Sequence, residues 1–323
     1  MTAVLALDIG GTTFAAAVVD ATGAVLARRE TPVGPDPTAT LGALVRELAV
    51  PDLTGAGIGS AGPLDPVRGT VSPVNIPAWR GFPLTSTVSD LLGGLPVTLA
   101  GDAQCMALGE WWRGARGGDT RVLLGVVVST GVGGGLVVDG VPYLGPTGNA
   151  GHIGHMPAPA LPGDAAAGAE PCPCGGTGCV ETIASGTSMA RWALARGWRP
   201  APGGGRDARA LAAAARAGDP IAAAAFDRAA RAVAGALLSA AALFDVDRVV
   251  IGGGVAAAGE ILLDPLRRAV AAGAGMGFLR RLTVEPTALG RDAGLYGAAA
   301  LALNPPITLT REESLPLHPL DTF

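Results

Sequence analysis

The residues best suited to chemistry are concentrated in one segment. Residues 150–181 hold two of the chain's three histidines and three of its four cysteines. Cys172, Cys174 and Cys179 have the spacing C-x-C-x4-C, and His155 lies 17 residues before the first of them. One imidazole and three thiolates form a closed tetrahedral set that suits structural zinc, and they leave no open position for catalysis by the metal. The alternative is a group of buried free thiols beside an unrelated histidine.

Two polar residues flank this candidate zinc set. His152 precedes His155 by three positions and is either a further candidate ligand or an ordinary loop residue. Glu181 follows Cys179 closely, so a bound metal would also fix its position. We expect Glu181 to contact a ligand, and the alternative is a solvated glutamate.

Glycine turns with adjacent hydroxyl groups occur after several apolar strands. In DIGGTT, residues 8–13, a strand ends in a carboxylate and a Gly-Gly turn leads to two hydroxyls. This arrangement suits a polyphosphate and Mg²⁺, although a plain hairpin turn has the same composition. STGVGGG at 129–135 repeats the pattern, and GGG at 252–254 adds a third turn. Together they favour nucleotide phosphate binding. The chain has no Lys, which excludes a GxxxxGK[ST] loop, and GGTT does not begin a GxGxxG motif.

Asp102 stands in TLAGDAQ, between an apolar strand and a predicted helix. A carboxylate at this place either lines the cleft of an α/β protein, as a general base would, or acts as the helix N-cap. Asn75, in SPVNIPAW, is a turn residue that is also a candidate ligand contact, and Cys105 is expected to pack in the core.

Composition narrows the class of protein. The chain has 323 residues, enough for about two domains. Its net charge of −4 and the absence of a basic patch argue against a nucleic-acid partner. No apolar run is long enough for a membrane helix, and the N-terminus lacks the basic region of a signal peptide. We therefore expect a cytoplasmic protein with no membrane or nucleic-acid partner.

Two segments with the same pattern position these residues. Residues 4–30 and 121–145 each read as three short apolar strands joined by tight turns, with turns in the second copy at 131–135 and 139–140. The repetition predicts an internally duplicated, two-lobed α/β protein. Further strands are predicted at 97–100 and 248–251, and helices at 36–48, 103–114, 219–243 and 292–303. The tail after residue 303 lacks periodicity and is expected to be loose, and His318 within it carries no signal.

The motifs together resemble the ROK family of sugar kinases, repressors and related proteins, over residues 4–303. DIGGTT is similar to the family's DIGGTK, with Thr13 in place of Lys, and GCVETIASG is similar to its zinc signature. The resemblance implies an actin/hexokinase-like (ribonuclease H-like) fold with a zinc-braced loop. We expect a small lobe of residues 1–103 plus 290–303, a large lobe of 104–289 with the zinc loop, and a tail of 304–323. It also implies a homodimer.

The resemblance further implies an ATP-dependent kinase with Mg²⁺ and structural Zn²⁺ that phosphorylates the 6-hydroxyl of a sugar. Asp102 matches the catalytic aspartate, which acts as general base. Expected sugar contacts are Gly62, Asn75, Gly101, Asp102, His152, His155 and Glu181. Expected ATP contacts are Asp8, Gly10, Gly11, Thr12, Thr13, Thr130, Gly131, Gly133, Gly253 and Gly254. The expected zinc ligands are His155, Cys172, Cys174 and Cys179.

Two departures from the family pattern concern the choice of sugar. Family glucokinases usually have Glu at the position of His152 and Asn at the position of Gly101. AGHIGH, STGVGGG and CVETIASG together are similar to family members that phosphorylate N-acetylmannosamine. A neutral imidazole can donate a hydrogen bond to an N-acetyl carbonyl, whereas a carboxylate cannot. We therefore expect N-acetylmannosamine as the substrate. The alternatives are glucose or another hexose, or a non-catalytic sugar-binding protein or regulator. A regulator is disfavoured because no helix-turn-helix precedes Asp8.

Overall fold

A computed structural model describes residues 2–115, 120–159, 161, 168 and 170–304. The chain divides into two compact units. The first comprises Met1–Arg121, Gly135–Gly151 and Arg291–Phe323, and the second comprises Val122–Gly134 and His152–Gly290. No helix among the described residues has the length and apolar character required to span a bilayer.

The first five-stranded sheet begins with a meander of β1 (Ala3–Ile9), β2 (Thr13–Asp20) and β3 (Val25–Pro32). Two later strands, β4 (Leu53–Ser60) and β7 (Val97–Gly101), complete the order β3-β2-β1-β4-β7. The meander pairs are antiparallel, whereas β1–β4 and β4–β7 are parallel. A small hairpin of β5 (Leu64–Asp65) and β6 (Thr70–Val71) lies between β4 and β7 in sequence. Nearly every residue of β1 is buried, as its continuous apolar run predicts.

Four helices of the first unit are α1 (Pro37–Leu48), α2 (Leu84–Leu91), α3 (Asp102–Arg113) and α9 (Ala293–Leu303). α9 approaches α3 and β4 closely because small residues line the contact. A Cβ atom on Gly57 of β4 would lie 1.8 Å from the carbonyl oxygen of Ala298, and one on Gly297 would lie 1.7 Å from that of Cys105. These contacts exclude any side chain larger than hydrogen. α9 is therefore held directly against the strand and the helix that carry the candidate site.

The second five-stranded sheet repeats the order of the first. Its strands are β8 (Val122–Val128), β9 (Val132–Val138), β10 (Val141–Tyr143), β11 (Arg248–Gly252) and β12 (Thr283–Pro286). Their order is β10-β9-β8-β11-β12, so in each sheet the third, second, first, fourth and fifth strands are neighbours. The predicted duplication is confirmed by this repeated order.

The second unit's helices include two consecutive short ones, α4 (Val180–Ala184) and α5 (Gly186–Ala195), followed by α6 (Ala208–Arg216). α7 (Pro220–Phe244) and α8 (Glu260–Gly273) pack against each other. The predicted start of α7 is confirmed: the Asp219 carboxylate accepts hydrogen bonds from the amides of Ile221 and Ala222, both at 2.9 Å, and Pro220 opens the first turn.

One sequence-based expectation needs correction. The turn placed at 131–135 is shorter, because β9 begins at Val132 and includes Gly133. The two compact units group α3 and residues 135–151 with the N-terminal residues, and α3 packs on α9 and β4. The division into two lobes that act as bodies stays a prediction. His318 and residues 305–323 of the expected tail lie outside the described residues.

Candidate functional site

Two carboxylates meet at one edge of the first sheet. Asp8 is near the end of β1, and Asp102 directly follows β7. Both strands are parallel neighbours of β4, where Asp8 is level with Gly59 and Gly101 with Ser60. Parallel strands present their carboxyl ends at the same edge. Gly59 also lets α3 approach, since a Cβ there would lie 3.6 Å from the Cα of Asp102 and 3.0 Å from the Sγ of Cys105.

The environment of Asp8 favours its protonated form. Burial raises the pKa of Asp8 from its ordinary value of 3.8 to about 7, and the negative charge of Asp102 adds to the effect. Arg28 opposes the rise only in part. Asp8 lies against the first turn of α9, where a Cβ on Gly294 would be 2.8 Å from its Oδ2. A cation at this edge would relieve the repulsion between the two carboxylates.

Asp102 is the first residue of α3, and Gly101 occupies the N-cap position. The alternative that Asp102 is the N-cap is therefore wrong. Its Oδ1 accepts a hydrogen bond from the Ala103 amide at 2.7 Å. The Gly101 amide instead donates to Oε1 of Gln104 at 2.8 Å. Cys105 is fully buried as expected, and burial raises its thiol pKa well above the usual range.

The DIGGTT turn joins β1 to β2. The Gly10 amide donates to the carbonyl of Thr13 at 3.2 Å, which closes the turn. Gly11 packs against Asn75: a Cβ on Gly11 would lie 2.7 Å from the Cβ of Asn75. Asn75 is exposed. The structure thus places the candidate sugar contact Asn75 beside Gly11 of the candidate phosphate turn, although the two residues are 64 positions apart in the sequence.

The loop of residues 148–150 is hydrogen-bonded to the segment that follows β4. Gly62 follows β4 and precedes Leu64 of β5. The Asn149 side chain binds both backbone groups of Leu64. Its Oδ1 accepts a hydrogen bond from the Leu64 amide at 3.2 Å, and its Nδ2 donates one to the Leu64 carbonyl at 2.9 Å. Gln104 holds the neighbouring residues of the same loop, donating through Nε2 to the carbonyls of Gly148 at 3.2 Å and Ala150 at 2.8 Å.

The second unit brings the four candidate metal ligands together. Ligand atoms of His155, Cys172, Cys174 and Cys179 all lie within 4.8 Å of one another. The Cys174 and Cys179 Sγ atoms are 3.7 Å apart, and the Cys172 Sγ is 3.7 Å from Nδ1 of His155. Zinc–sulfur bonds of about 2.3 Å in a tetrahedron give sulfur–sulfur edges of roughly 3.7 Å. The donor set and its spacing therefore fit zinc, and the cysteines are free thiols, not disulfides.

His152 and Glu181 lie next to this set in different ways. The His152 ring is exposed and stacks on His155 at a centroid distance of 5.8 Å. Because Nδ1 of His155 faces Cys172, Nε2 is the nitrogen left for another partner. Glu181, in the first turn of α4, accepts a hydrogen bond from the Val132 amide at 2.8 Å through Oε2. Glu181 thereby connects the cysteine loop to the start of β9.

The two candidate phosphate turns of the second unit converge. The turn after β8 is closed by a hydrogen bond of 2.8 Å from the Ser129 amide to the Gly131 carbonyl. Gly253 has a φ of +92°, and a Cβ there would lie 2.5 Å from the carbonyl of Val128. A Cβ on Gly254 would lie 3.5 Å from the Ser129 hydroxyl oxygen. Thr130 and Gly131 therefore share one region with Gly253 and Gly254, whereas Gly133 is inside β9.

Comparison with known proteins identifies the family. The ROK family model matches residues 4–304. The chain belongs to the ROK family. The fold that this membership implied, a duplicated actin/hexokinase-like α/β fold, is confirmed by ROK-family neighbours among solved structures.

Individual ROK relatives differ in the sugar in their names. The chain is 38% identical over 305 residues to the N-acetylmannosamine kinase of Citrobacter koseri, covering 92% of this chain and 98% of the relative. It is 34% identical over 318 residues to the glucokinase of Halalkalibacterium halodurans, covering 91% and 93%. The crystal structure of a ROK-family glucokinase from Streptomyces griseus with glucose and AMPPNP superimposes with a TM-score of 0.76 at 32% identity, covering 93% of this chain and 99% of that one.

Sequence reasoning missed two contributors to the candidate site of this ROK protein. Gln104 carried no signal, because a glutamine in the first turn of a helix is ordinary. The contact of Glu181 with Val132 joins residues 49 positions apart, and no motif announces it.

Proposed function

We propose that this ROK protein is an ATP-dependent sugar kinase that phosphorylates the 6-hydroxyl of N-acetylmannosamine, with Asp102 as general base. The observation that carries the proposal is the position of Asp102. Its carboxylate does not cap α3, and it lies at the edge of the first sheet where β1 ends next to Asp8. Family membership supports the reaction class, since relatives of similar length are named as sugar kinases.

Asp102 would accept the proton of the sugar hydroxyl as its oxygen attacks the γ-phosphorus of ATP. The hydrogen bond from the Ala103 amide to Oδ1 orients the carboxylate at the start of α3. Asp102 lies in the first turn of α3, where the helix favours a negatively charged side chain.

The glycine turns would bind the phosphates through backbone amides. In the first unit this role falls to Gly10, Gly11, Thr12 and Thr13, and Asp8 is the candidate for holding Mg²⁺. In the second unit it falls to Thr130, Gly131, Gly253 and Gly254. Amides of this kind offset the charge that develops on the transferring phosphoryl group without a lysine. Thr13, where the family has Lys, would contribute a hydroxyl group beside the amides of the first turn.

His155, Cys172, Cys174 and Cys179 would hold Zn²⁺, whose contribution is to brace the loop. Because Nδ1 of His155 faces Cys172, a metal bound by this set would leave Nε2 to donate to a sugar hydroxyl. Glu181 would accept from a second hydroxyl through the oxygen that does not bind Val132. Gly62, Asn75 and Gly101 complete the proposed sugar contacts. The homodimer implied by the resemblance stays a prediction.

The choice of N-acetylmannosamine rests on His152. Its exposed ring stands beside His155, in the segment where glucokinases of the family usually have a carboxylate. An N-acetylmannosamine kinase relative is 38% identical to the chain and a glucokinase relative is 34% identical, so the chain is similar to relatives with either name. Glucose remains the second candidate because curated relatives of both names cover nine-tenths of the chain.

An ADP-release assay tests the proposal with glucose, N-acetylmannosamine and N-acetylglucosamine as acceptors. We expect the highest kcat/KM with N-acetylmannosamine, and a loss of about 10²–10⁴-fold in kcat for Asp102→Asn with little change in sugar binding. His152→Glu should shift the ratio of N-acetylmannosamine to glucose turnover towards glucose. An unchanged ratio would refute the role of His152, and sugar binding without ADP release from any acceptor would favour a non-catalytic protein.

A further inference from the structure

A buried amide side chain joins the start of α3, which carries the proposed base Asp102, to the segment that precedes the proposed sugar contact His152. Gln104 is 4% exposed, in the first turn of α3. Its Oε1 accepts from the Gly101 amide, directly before Asp102. Its Nε2 donates to the carbonyls of Gly148 and Ala150, so both ends of the amide are engaged.

The segment bound by Gln104 is held on its other side as well. Asn149 binds both backbone groups of Leu64, two residues after Gly62. Residues 148–150 therefore lie between the base-bearing helix and the strand-end loop, and they lead directly into His152. A shift of this segment would disturb the start of α3 and the loop at Leu64, to which it is hydrogen-bonded.

β9 reinforces the placement of Gln104. A Cβ on Gly135 would lie 2.4 Å from the Cα of Gln104, so β9 packs directly on the helix backbone at this point. The side chain has little freedom to find other partners, because it starts from a fixed backbone and ends on three fixed hydrogen bonds. A buried amide with this geometry is specific: an isosteric replacement without its donor leaves two carbonyls facing an acceptor or an apolar group.

We infer that Gln104 is a positioning residue for phosphoryl transfer to the sugar: it fixes Asp102 relative to residues 148–150. The inference rests on the proposed function for its kinetic consequence, but its structural part does not. Gln104 touches neither reactant in this account. It acts through the Gly101 amide on the start of α3, and through two carbonyls on the segment before His152.

The variant Gln104→Glu tests the acceptor Oε1 and the donor Nε2 of this side chain separately. The variant keeps an acceptor for the Gly101 amide but places a second oxygen against the carbonyls of Gly148 and Ala150. When that carboxyl is protonated, its O–H can donate to a carbonyl again. Burial beside carbonyl oxygens raises the pKa of a carboxyl, so the donor is present at low pH and is lost as the pH rises through that raised pKa. Gln104→Met has a similar volume and no donor at any pH.

The experiment compares kcat/KM for the sugar in both variants with the wild type at about pH 6 and about pH 8. For Gln104→Glu we expect roughly a 10- to 100-fold loss at the higher pH, the scale of a small displacement of reacting groups. That loss should shrink several-fold at the lower pH, with the KM for ATP little changed. Gln104→Met should show a loss that does not depend on pH. Dividing by the wild-type value at each pH removes the pH dependence that the variant shares with the wild type, and Gln104→Met shows what remains without a new carboxyl group.

Amide hydrogen exchange of residues 145–151 supplies a readout that does not depend on activity. Each variant is compared with the wild type at the same pH. Gln104→Glu should lose protection in this segment at the higher pH and recover it at the lower. If the wild type phosphorylates no sugar, the proposed function fails while the exchange result still tests the link. Wild-type protection and kinetics in Gln104→Glu at the higher pH, or the same recovery in Gln104→Met, would overturn the inference.

Discussion

The elevated pKa of Asp8 makes a testable prediction about stability. A carboxyl that ionises near pH 3.8 when unfolded and near pH 7 when folded binds more protons in the native state between those values. The folded protein therefore loses stability relative to the unfolded chain as the pH rises through this window, and the loss is complete above about pH 7. A shift of about 3 pKa units corresponds to about 4 kcal/mol. Asp8→Asn carries no such charge and should escape the loss.

The measurement is chemical denaturation of both proteins without added Mg²⁺ or nucleotide. From about pH 5.5 to about pH 7 the wild type crosses about 1.5 units of the window, so the advantage of Asp8→Asn in unfolding free energy should grow by about 2 kcal/mol and then level off. In thermal melts of a 323-residue chain this is a shift of about 3 °C, at about 2.1 cal/mol/K of unfolding entropy per residue. The same substitution should weaken Mg²⁺-dependent nucleotide binding, because it removes the proposed ligand.

Asp20→Asn is the matched control. Asp20 is the half-buried last residue of β2, and the hydrogen bond from the Thr22 hydroxyl lowers the pKa of its carboxyl. A lowered pKa contributes stability that is lost only as the pH falls below the ordinary value of 3.8. The stability curve of this variant should therefore run parallel to the wild type between about pH 5.5 and 8. If the Asp8→Asn curve is parallel to the wild type as well, Asp8 is ionised throughout and the reasoning is refuted.

Three further predictions concern the metal set and two glycines. Cys174→Ser removes the half-exposed candidate ligand, so zinc measured by atomic emission should fall below about one ion per chain and the Tm should drop; full zinc content would contradict the assigned ligands. In Gly131→Ala the new Cβ would lie 2.6 Å from Oε2 of Glu181, so the carboxylate must leave the Val132 amide. We expect kcat/KM to fall by roughly tenfold or more in ADP-release assays. Wild-type kinetics would show that this contact does not matter. Gly57→Ala places a Cβ 1.8 Å from the α9 backbone and should destabilise the protein by at least about 1–3 kcal/mol in denaturant titrations, and an unchanged midpoint would contradict the packing of α9.

Local chemistry made several elements predictable. The meanders, the start of α7 at Asp219 and Pro220, and the place of α1 after Asp36 follow from apolar runs, turn residues and capping groups that lie within a few positions of one another. The side chain of Asp36 accepts from the Ala39 amide at 2.9 Å, as its place before the helix predicts. The cysteine spacing alone likewise indicates a metal set, because three of the four donors lie in eight consecutive residues.

The sequence by itself therefore determined the duplicated α/β organisation, the family and the donor set, since periodicity and motif spacing are properties of neighbouring residues. Only the tertiary structure decided that Asp102 is not the cap of α3, that Gly253 meets the turn after β8, and that Gln104 bridges Gly101 to residues 148–150. The pKa of Asp8 belongs to the same group. Each of these features depends on atoms that strand order and helix packing bring together. Their burial and charge are set by residues that are distant in the sequence, so no local pattern predicts them.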